Sequence, residues 1–244
     1  MLELRNISVA AGCDEDSEIE IISNVDLSLC DRKIYVVTGP NGGGKTSLAK
    51  AIMGIYPVSG GEIYLDDVDI TGKSITERAN LGIGYAFQSP TRFKGLRVRD
   101  ILSIASKDKN DEKELYSLLI DVGLCAQDYI DRELNASFSG GELKRVEIAS
   151  ILARNLRVAL FDEPEAGIDL WSFQRLTETF KRLNKACDTT IVIISHQERI
   201  LRLADEVILI AGGKITEVTS PDKILGEIDF TDPDCVCPNC LDKR

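Results

Sequence analysis

Long apolar runs are missing from this chain of 244 residues. No stretch approaches the ~18–20 apolar residues that a membrane-spanning helix requires. Residues 1–6 have the pattern of a β-strand and lack the apolar centre of a secretion signal. We therefore expect a cytoplasmic protein that would need a partner to act at a membrane.

Basic residues are outnumbered by acidic ones. The chain has 29 lysines and arginines against 40 aspartates and glutamates, a formal net charge of −11. This excess disfavours a nucleic-acid partner, because phosphate backbones bind basic surfaces. It does not exclude a nucleotide, whose binding depends on a few local groups. With 43% hydrophobic residues the composition is globular, and the length predicts one domain or one domain with an insertion.

A glycine-rich segment that fits the pattern G-x-x-x-x-G-K-[ST] separates a β-rich run at residues 33–38 from a helical run at residues 47–53. Its residues are Gly39, Pro40, Asn41, Gly42, Gly43, Gly44, Lys45 and Thr46, and Ser47 follows. Glycines let backbone N–H groups turn towards a phosphate, and the helix N-terminus adds partial positive charge. We predict a nucleoside triphosphate site in which Lys45 reaches the β- and γ-phosphates and the Thr46 hydroxyl ligates Mg²⁺.

Two acids follow a continuous apolar run at residues 158–161. Such runs are typical of parallel strands buried on both faces, and ligands of α/β folds bind at the carboxyl ends of those strands. We expect Asp162 to hold Mg²⁺ through water and Glu163 to orient and polarise an attacking water. The alternative, that both acids only solvate a strand end, is disfavoured by the phosphate loop upstream.

The segment at residues 90–156 has helical spacing and is bounded by loops, so it is predicted to be an insertion into the α/β core. Within it, Ser139 and Glu142 have the spacing of a capping box around Gly140 and Gly141. A plain helix start explains this pattern. The two glycines at a helix N-terminus would also expose N–H groups to an anion.

Taken in order, these motifs resemble those of the ABC-type ATPases over nearly the whole chain. The family pattern also matches a loop glutamine, Gln88, a loop that ends at Asp169, and His196, which is the only histidine. The resemblance implies an α/β fold with a P-loop (RecA-like) core, an antiparallel β subdomain and an inserted α-helical subdomain. It implies a single ATPase domain over residues 1–228, with residues 90–156 as the helical part.

The same resemblance implies a head-to-tail dimer with ATP and Mg²⁺ between the protomers. The phosphate loop of one chain and the signature at residues 139–142 of the other would both contact each ATP. Gln88 would sense the γ-phosphate and the metal, and His196 would touch the γ-phosphate. Lys45 and Glu163 would complete the catalytic set, and Asp169 would couple the two sites.

Within the family, the chain is most similar to the ATPase subunit of the SUF iron–sulfur cluster assembly system, the SufC type. The similarity rests on Phe138 and the signature, followed by Lys144 and Arg145, and on the loops around Gln88 and His196. It implies that ATP hydrolysis drives a conformational change in a SufB-like scaffold docked on the segment between Gln88 and the signature. The alternative is the nucleotide-binding ATPase subunit of a membrane ABC transporter, which would share the ATP chemistry.

Two features depart from the family pattern. The signature ends in Glu142 where many transporter ATPases have glutamine. No aromatic residue precedes Gly12, where many members stack adenine, and Ala10 and Ala11 occupy that place.

Residues 229–244 are predicted to form an extended tail with a C-x-C-x-x-C pattern at Cys235, Cys237 and Cys240. Zinc and iron–sulfur sites usually require four ligands, so this pattern is one short. The fourth would come from a partner or from one of the other cysteines, which are Cys13, Cys30, Cys125 and Cys187. Two alternatives stay open: the tail contacts a metal or a cluster, or it is solvated and its thiols are reduced.

Overall fold

The structure is a computed structural model that describes residues 1–11, 19–106, 111–154, 156–186 and 188–227. The strands in these ranges are β1 (Leu2–Ala11), β2 (Ile19–Leu29), β3 (Ile34–Thr38), β4 (Gly60–Leu65), β5 (Val68–Asp69), β6 (Ile83–Ala86), β7 (Val158–Asp162), β8 (Thr190–Ile194), β9 (Glu206–Ala211) and β10 (Lys214–Thr219). The helices are α1 (Lys45–Met53), α2 (Ile75–Asn80), α3 (Val98–Ala105), α4 (Glu112–Asp121), α5 (Ala126–Tyr129), α6 (Gly140–Leu152), α7 (Leu170–Ala186), α8 (Glu198–Leu201) and α9 (Pro221–Glu227).

A six-stranded sheet in the order β10-β9-β3-β8-β7-β6 forms the centre of the fold. Every pairing in it is parallel except that of β9 with β10. Strands β7 and β8, which have the continuous apolar runs, pair in parallel from Val158 opposite Thr190 to Asp162 opposite Ile194. The predicted α/β sheet is therefore present, and its strands β3, β7 and β8 direct their carboxyl ends to one edge.

Both faces of this sheet are covered, which explains why its strands lack an alternation of apolar and polar residues. On β3, Ile34 and Val36 belong to one hydrophobic cluster, whereas Tyr35 and Val37 belong to another. The first cluster continues into the helices between β6 and β7. The second continues into α1 and into a four-stranded antiparallel sheet in the order β2-β1-β4-β5.

The segment between β6 and β7 is helical, as the spacing of its apolar residues predicted. Leu102 on α3 and Leu119 on α4 are fully buried in the same cluster as Val146 on α6 and Phe161 on β7. The division of residues 1–228 into a core and an inserted subdomain remains a prediction.

The predicted tail, residues 229–244, lies outside the described ranges. Within those ranges, none of the helices combines the length and the apolar character needed to cross a membrane.

Four elements were not predicted from the sequence: β5, α2, α8 and α9. Each is two to seven residues long, which is too short for a clear periodic signal. Helix α2 did carry one usable signal, because Ser74 and Glu77 have capping-box spacing and form that box in the structure.

Arg78 on α2 fixes the end of the helix that follows the phosphate loop. Its side chain is 2% exposed. One terminal nitrogen, Nη1, donates to the carbonyl oxygens of Ala51 (2.7 Å) and Ile52 (2.8 Å) in the last turn of α1. The other nitrogens donate to the carbonyl oxygens of Thr71 and Lys73. A single guanidinium thus ties α1 to the segment that precedes α2.

The variant Arg78→Met is expected to lower the free energy of unfolding by about 2–4 kcal/mol, because several carbonyl oxygens lose their donors in a buried place. Chemical denaturation in urea measures this change. Arg92→Met, at an exposed arginine, is the control. A loss no larger than that of the control would show that the contacts of Arg78 do not stabilise the fold.

Candidate nucleotide-binding site

The phosphate loop connects β3 to α1, as the sequence predicted, and it closes around its own lysine. The Lys45 Nζ atom donates to the carbonyl oxygens of Gly39 (2.8 Å) and Pro40 (2.9 Å). Burial lowers the pKa of Lys45, while the nearby carboxylates of Glu163 and Asp162 act in the opposite direction. The ammonium group lies inside the loop, where it can form charge-assisted hydrogen bonds with a bound phosphate.

The loop lies against β9 at backbone distance. Gly39 has a φ of 136°, and a Cβ atom there would lie 2.0 Å from the carbonyl oxygen of Ile210. Only glycine fits such a position. Further along, the Gly213 N–H donates to the carbonyl oxygen of Gly43 at 3.0 Å. Strand β9 and the turn between β9 and β10 therefore support the backbone of the loop.

Asp162 meets the start of α1 directly. It is 1% exposed at the end of β7, and its Oδ1 atom accepts a hydrogen bond from the Thr46 hydroxyl at 3.1 Å. Its Oδ2 atom accepts from the Tyr85 hydroxyl at 2.9 Å. A hydroxyl beside a carboxylate is the hard oxygen donor set that Mg²⁺ prefers, so these residues fit the ion. Tyr85 was missed in the sequence, although β6 pairs in register with β7.

Glu163 and Gln88 also come together. The Gln88 Nε2 atom donates to Glu163 Oε2 at 2.9 Å. Glu163 has a φ of 45°, which is uncommon for a residue other than glycine. Its N–H donates to the carbonyl oxygen of Ile194 at 3.0 Å, so the end of β8 holds this backbone shape. The side chain is thereby directed to the edge where the loop glutamine lies.

His196 lies just after β8 and is solvent-exposed. The Ser195 N–H donates to the carbonyl oxygen of Val37 at 3.1 Å, which places this loop beside the end of β3. The Ser195 hydroxyl donates to the carboxylate of Glu165, a buried residue whose pKa is raised by burial. Sequence reasoning missed Glu165; its only signal was its place between Glu163 and Asp169.

The signature residues form a capping box at the start of α6. The Glu142 N–H donates to the Ser139 hydroxyl oxygen at 3.2 Å, and the Ser139 N–H donates to Glu142 Oε2 at 2.7 Å. Glu142 also accepts a hydrogen bond from the Tyr129 hydroxyl. Partial burial opposes its charge, but the hydrogen bonds from Tyr129 and Ser139 hold the pKa of Glu142 below its ordinary value. Ser139 and Gly140 remain exposed.

The loop that ends at Asp169 packs against this helix start. A Cβ atom on Gly141 would lie 2.1 Å from the carbonyl oxygen of Gly167, so the two backbones touch. Asp169 accepts from the Ser172 hydroxyl at 2.7 Å, and this bond lowers its pKa. Arg145 on α6 lies 3.7 Å from Asp169 and donates to the Ser172 hydroxyl at 2.6 Å.

The predicted site residues thus form two groups within one chain. Lys45, Thr46, Gln88, Asp162 and Glu163 meet at the carboxyl edge of the central sheet, where His196 also lies. The signature and Asp169 form a second group. In the described ranges, no hydrogen bond joins Lys45 to any of the signature residues.

The comparisons with known proteins identify the family of the chain. The model of the ABC transporter family matches residues 22–166, which is more than half of the chain. The chain therefore belongs to the ABC transporter family, and it is an ATPase of the ABC type. Membership in this class implies ATP and Mg²⁺ as its ligands.

The relatives cover most of the chain. It is 37% identical over 214 residues to an uncharacterized ABC transporter ATP-binding protein of Methanocaldococcus jannaschii. That alignment covers 84% of this chain and 85% of the relative. It is 33% identical over 218 residues to a protein of Cyanidium caldarium named "Probable ATP-dependent transporter ycf16". That alignment covers 82% of this chain and 85% of the relative.

Among solved structures, a dimeric ATP-binding cassette in a post-hydrolysis state bound to ADP and phosphate superposes with a TM-score of 0.82. The match covers 91% of this chain and 99% of that one at 22% identity, so it shows the fold. The predicted P-loop ABC ATPase fold is confirmed.

The cysteine prediction falls largely outside the described ranges. Cys235, Cys237 and Cys240 are not described, and neither are Cys13 and Cys187. Cys30 and Cys125 are exposed free thiols. Among the residues that the structure does describe, no group of three or more histidine, cysteine or acidic side chains could hold a metal ion.

Proposed function

We propose that this ATPase binds ATP and Mg²⁺ on the phosphate loop and uses hydrolysis to change the conformation of a partner protein, working in the cytoplasm where ATP is supplied. The observation that carries the proposal is the meeting of Lys45, Thr46, Gln88, Asp162 and Glu163 at one edge of the sheet. These residues supply a cation, a magnesium-binding pair and a carboxylate for water, which is what phosphoryl transfer to water requires.

Each residue has a role in the proposed reaction. Lys45 stabilises the negative charge on the β- and γ-phosphates. Thr46 and Asp162 would hold Mg²⁺, with Gln88 beside them, and the bound ion would neutralise charge on the phosphate oxygens. Glu163 accepts a hydrogen bond from the attacking water and orients it. His196 contacts the γ-phosphate from the end of β8.

The proposal includes a head-to-tail dimer. The exposed Ser139 and Gly140, with Gly141 and Glu142, start a helix whose N-terminus favours an anion. Because these residues have no bond to Lys45 in their own chain, a second copy would present them to the nucleotide. Asp169, packed against the same helix start, would then lie at the contact between copies.

Two partners are candidates. The names of the relatives favour the membrane subunit of an ABC transporter. The signature with its terminal Glu142, followed by Lys144 and Arg145, favours a SufB-like scaffold of iron–sulfur assembly, as in the SufC type. In that second case, Cys235, Cys237 and Cys240 are candidate contacts to metal or to a cluster.

Affinity purification from the source cells, after chemical cross-linking and detergent extraction, is expected to recover one partner in stoichiometric amount. A polytopic membrane protein would identify a transporter and would rule out the scaffold. A SufB-like protein recovered without a membrane subunit would do the reverse. If the chain is recovered alone under these conditions, the proposal of a partner-driving ATPase fails.

A further inference from the structure

A buried lysine in α6 joins the signature helix to the reacting centre. Lys144 is 1% exposed and lies two residues after Glu142. Its ammonium group donates to the carbonyl oxygens of Phe87 and Asp162, the latter at 3.1 Å. The third neighbour is Glu147 Oε2, at 3.5 Å. Two of the three N–H bonds of the ammonium group therefore go to backbone carbonyl oxygens, and Glu147 supplies the nearby negative charge.

Glu147 completes the contact with Phe87. Its Oε1 atom accepts a hydrogen bond from the Phe87 N–H at 3.0 Å. The Lys144–Glu147 pair therefore holds both polar backbone groups of the residue that directly precedes Gln88. The Phe87 ring also meets the Tyr85 ring edge-on, with centroids 4.8 Å apart, and the Tyr85 hydroxyl donates to Asp162.

The two charges of this pair carry a desolvation cost. Burial lowers the pKa of Lys144 and raises the pKa of Glu147, which shows that burial disfavours the charged form of both side chains. Buried ion pairs can commonly be replaced by apolar residues without loss of stability. Apolar residues could not hydrogen-bond to the carbonyl oxygens of Phe87 and Asp162, so they would not hold α6 at a fixed distance from them.

We propose that Lys144 and Glu147 act as a clamp that positions Gln88 and the end of β7 relative to the signature helix. They are positioning residues, since neither would touch ATP. The proposal rests on the function proposed above for Gln88 and Glu163. Because α6 starts at the signature, a shift of this helix on nucleotide contact would pass through Lys144 to Phe87 and to the Asp162 carbonyl, and so to the neighbouring Gln88 and Glu163.

The test compares Lys144→Met with the double variant Lys144→Met/Glu147→Gln. The single variant leaves the largely buried Glu147 without its cation, so both the melting temperature and kcat are expected to fall. The double variant removes both charges and is expected to regain part of the melting temperature, although the carbonyl oxygens of Phe87 and Asp162 still lack their donor. Its kcat is expected to stay about 10- to 100-fold low, because a small misplacement of catalytic groups has effects of that size. KM for ATP should change by less than about threefold, because Lys45 and Thr46 keep their contacts.

Glu147→Gln alone is the conservative variant. Its amide oxygen can still accept from the Phe87 N–H, and Lys144 keeps its two carbonyl acceptors, so kcat should remain within about threefold of the unmodified chain. Arg154→Gln is the structural control. It removes a partly buried guanidinium just beyond the other end of α6, where the side chain donates to the Ala79 carbonyl oxygen at 2.7 Å. It should lower the melting temperature without changing kcat.

Recovery of kcat together with the melting temperature in the double variant would overturn the clamp. So would a loss in Glu147→Gln as deep as that in Lys144→Met. Gln88→Ala separates this failure from that of the proposed function. A normal kcat in Gln88→Ala overturns the role of Gln88 and the clamp with it. A low kcat in Gln88→Ala beside a normal kcat in the double variant overturns the clamp alone.

Discussion

Replacement of Glu163 by glutamine is expected to lower the rate of ATP hydrolysis about 100-fold or more, the range found when a general base is lost. Glutamine keeps the size of the side chain and can still bond to Gln88, but its amide accepts a proton poorly. ATP binding should survive, because Lys45 and the phosphate loop are unchanged. The variant should therefore accumulate as an ATP-bound dimer.

Phosphate release measures the loss of turnover, and size-exclusion chromatography with and without ATP measures the dimer. Glu178→Gln makes the same chemical change at an exposed glutamate on α7 and should hydrolyse ATP at the normal rate. Normal turnover in Glu163→Gln would remove Glu163 from the proposed mechanism. Turnover that falls without an ATP-dependent dimer would count against the head-to-tail arrangement.

Removal of the Lys45 side chain is expected to cause the second large effect, a loss of affinity for ATP. In Lys45→Ala the affinity for ATP should fall by about 10- to 100-fold, because a hydrogen bond to a charged group contributes about 1.5–3 kcal/mol and each 1.4 kcal/mol is tenfold in affinity. The carbonyl oxygens of Gly39 and Pro40 also lose their donor, which loosens the loop. Titration calorimetry with ATP and Mg²⁺ gives the affinity.

Lys50→Ala is the matched control for this measurement. Lys50 lies on the same helix, but near its C-terminal end, where its ammonium group packs over the Tyr56 ring at 5.1 Å. The control should bind ATP as the unmodified chain does. Equal affinities for Lys45→Ala and Lys50→Ala would contradict the assignment of residues 39–46 as the phosphate site.

The central sheet and the residues of the candidate ATP site could be found from the sequence because their signals are local. Residues 158–161 are apolar without interruption, which identifies a strand buried on both faces, and Asp162 and Glu163 come directly after it. The residues of the phosphate loop are adjacent in sequence. The resemblance to a family implied that Gln88 joins them, and in the structure its side chain bonds to Glu163.

Contacts between distant polar residues were not predictable in this way. Nothing near Lys144 in the sequence indicates that its ammonium group lies against Phe87, 57 residues earlier. Likewise, nothing near Arg78 in the sequence indicates that its side chain is buried against the end of α1. A charged residue gives no periodic signal of burial, because its acceptors are carbonyl groups that every residue carries.

The approach of Gly39 to Ile210 bears on the order in which the protein acquires its site. The loop at residues 39–46 is made early during synthesis, but the backbone that supports it comes from β9 and from the turn at Gly213. A nascent chain that has not yet supplied these residues lacks the support of its phosphate loop. We therefore expect the loop to gain this support only after residues 206–213 have been synthesised, when an early motif meets a late strand.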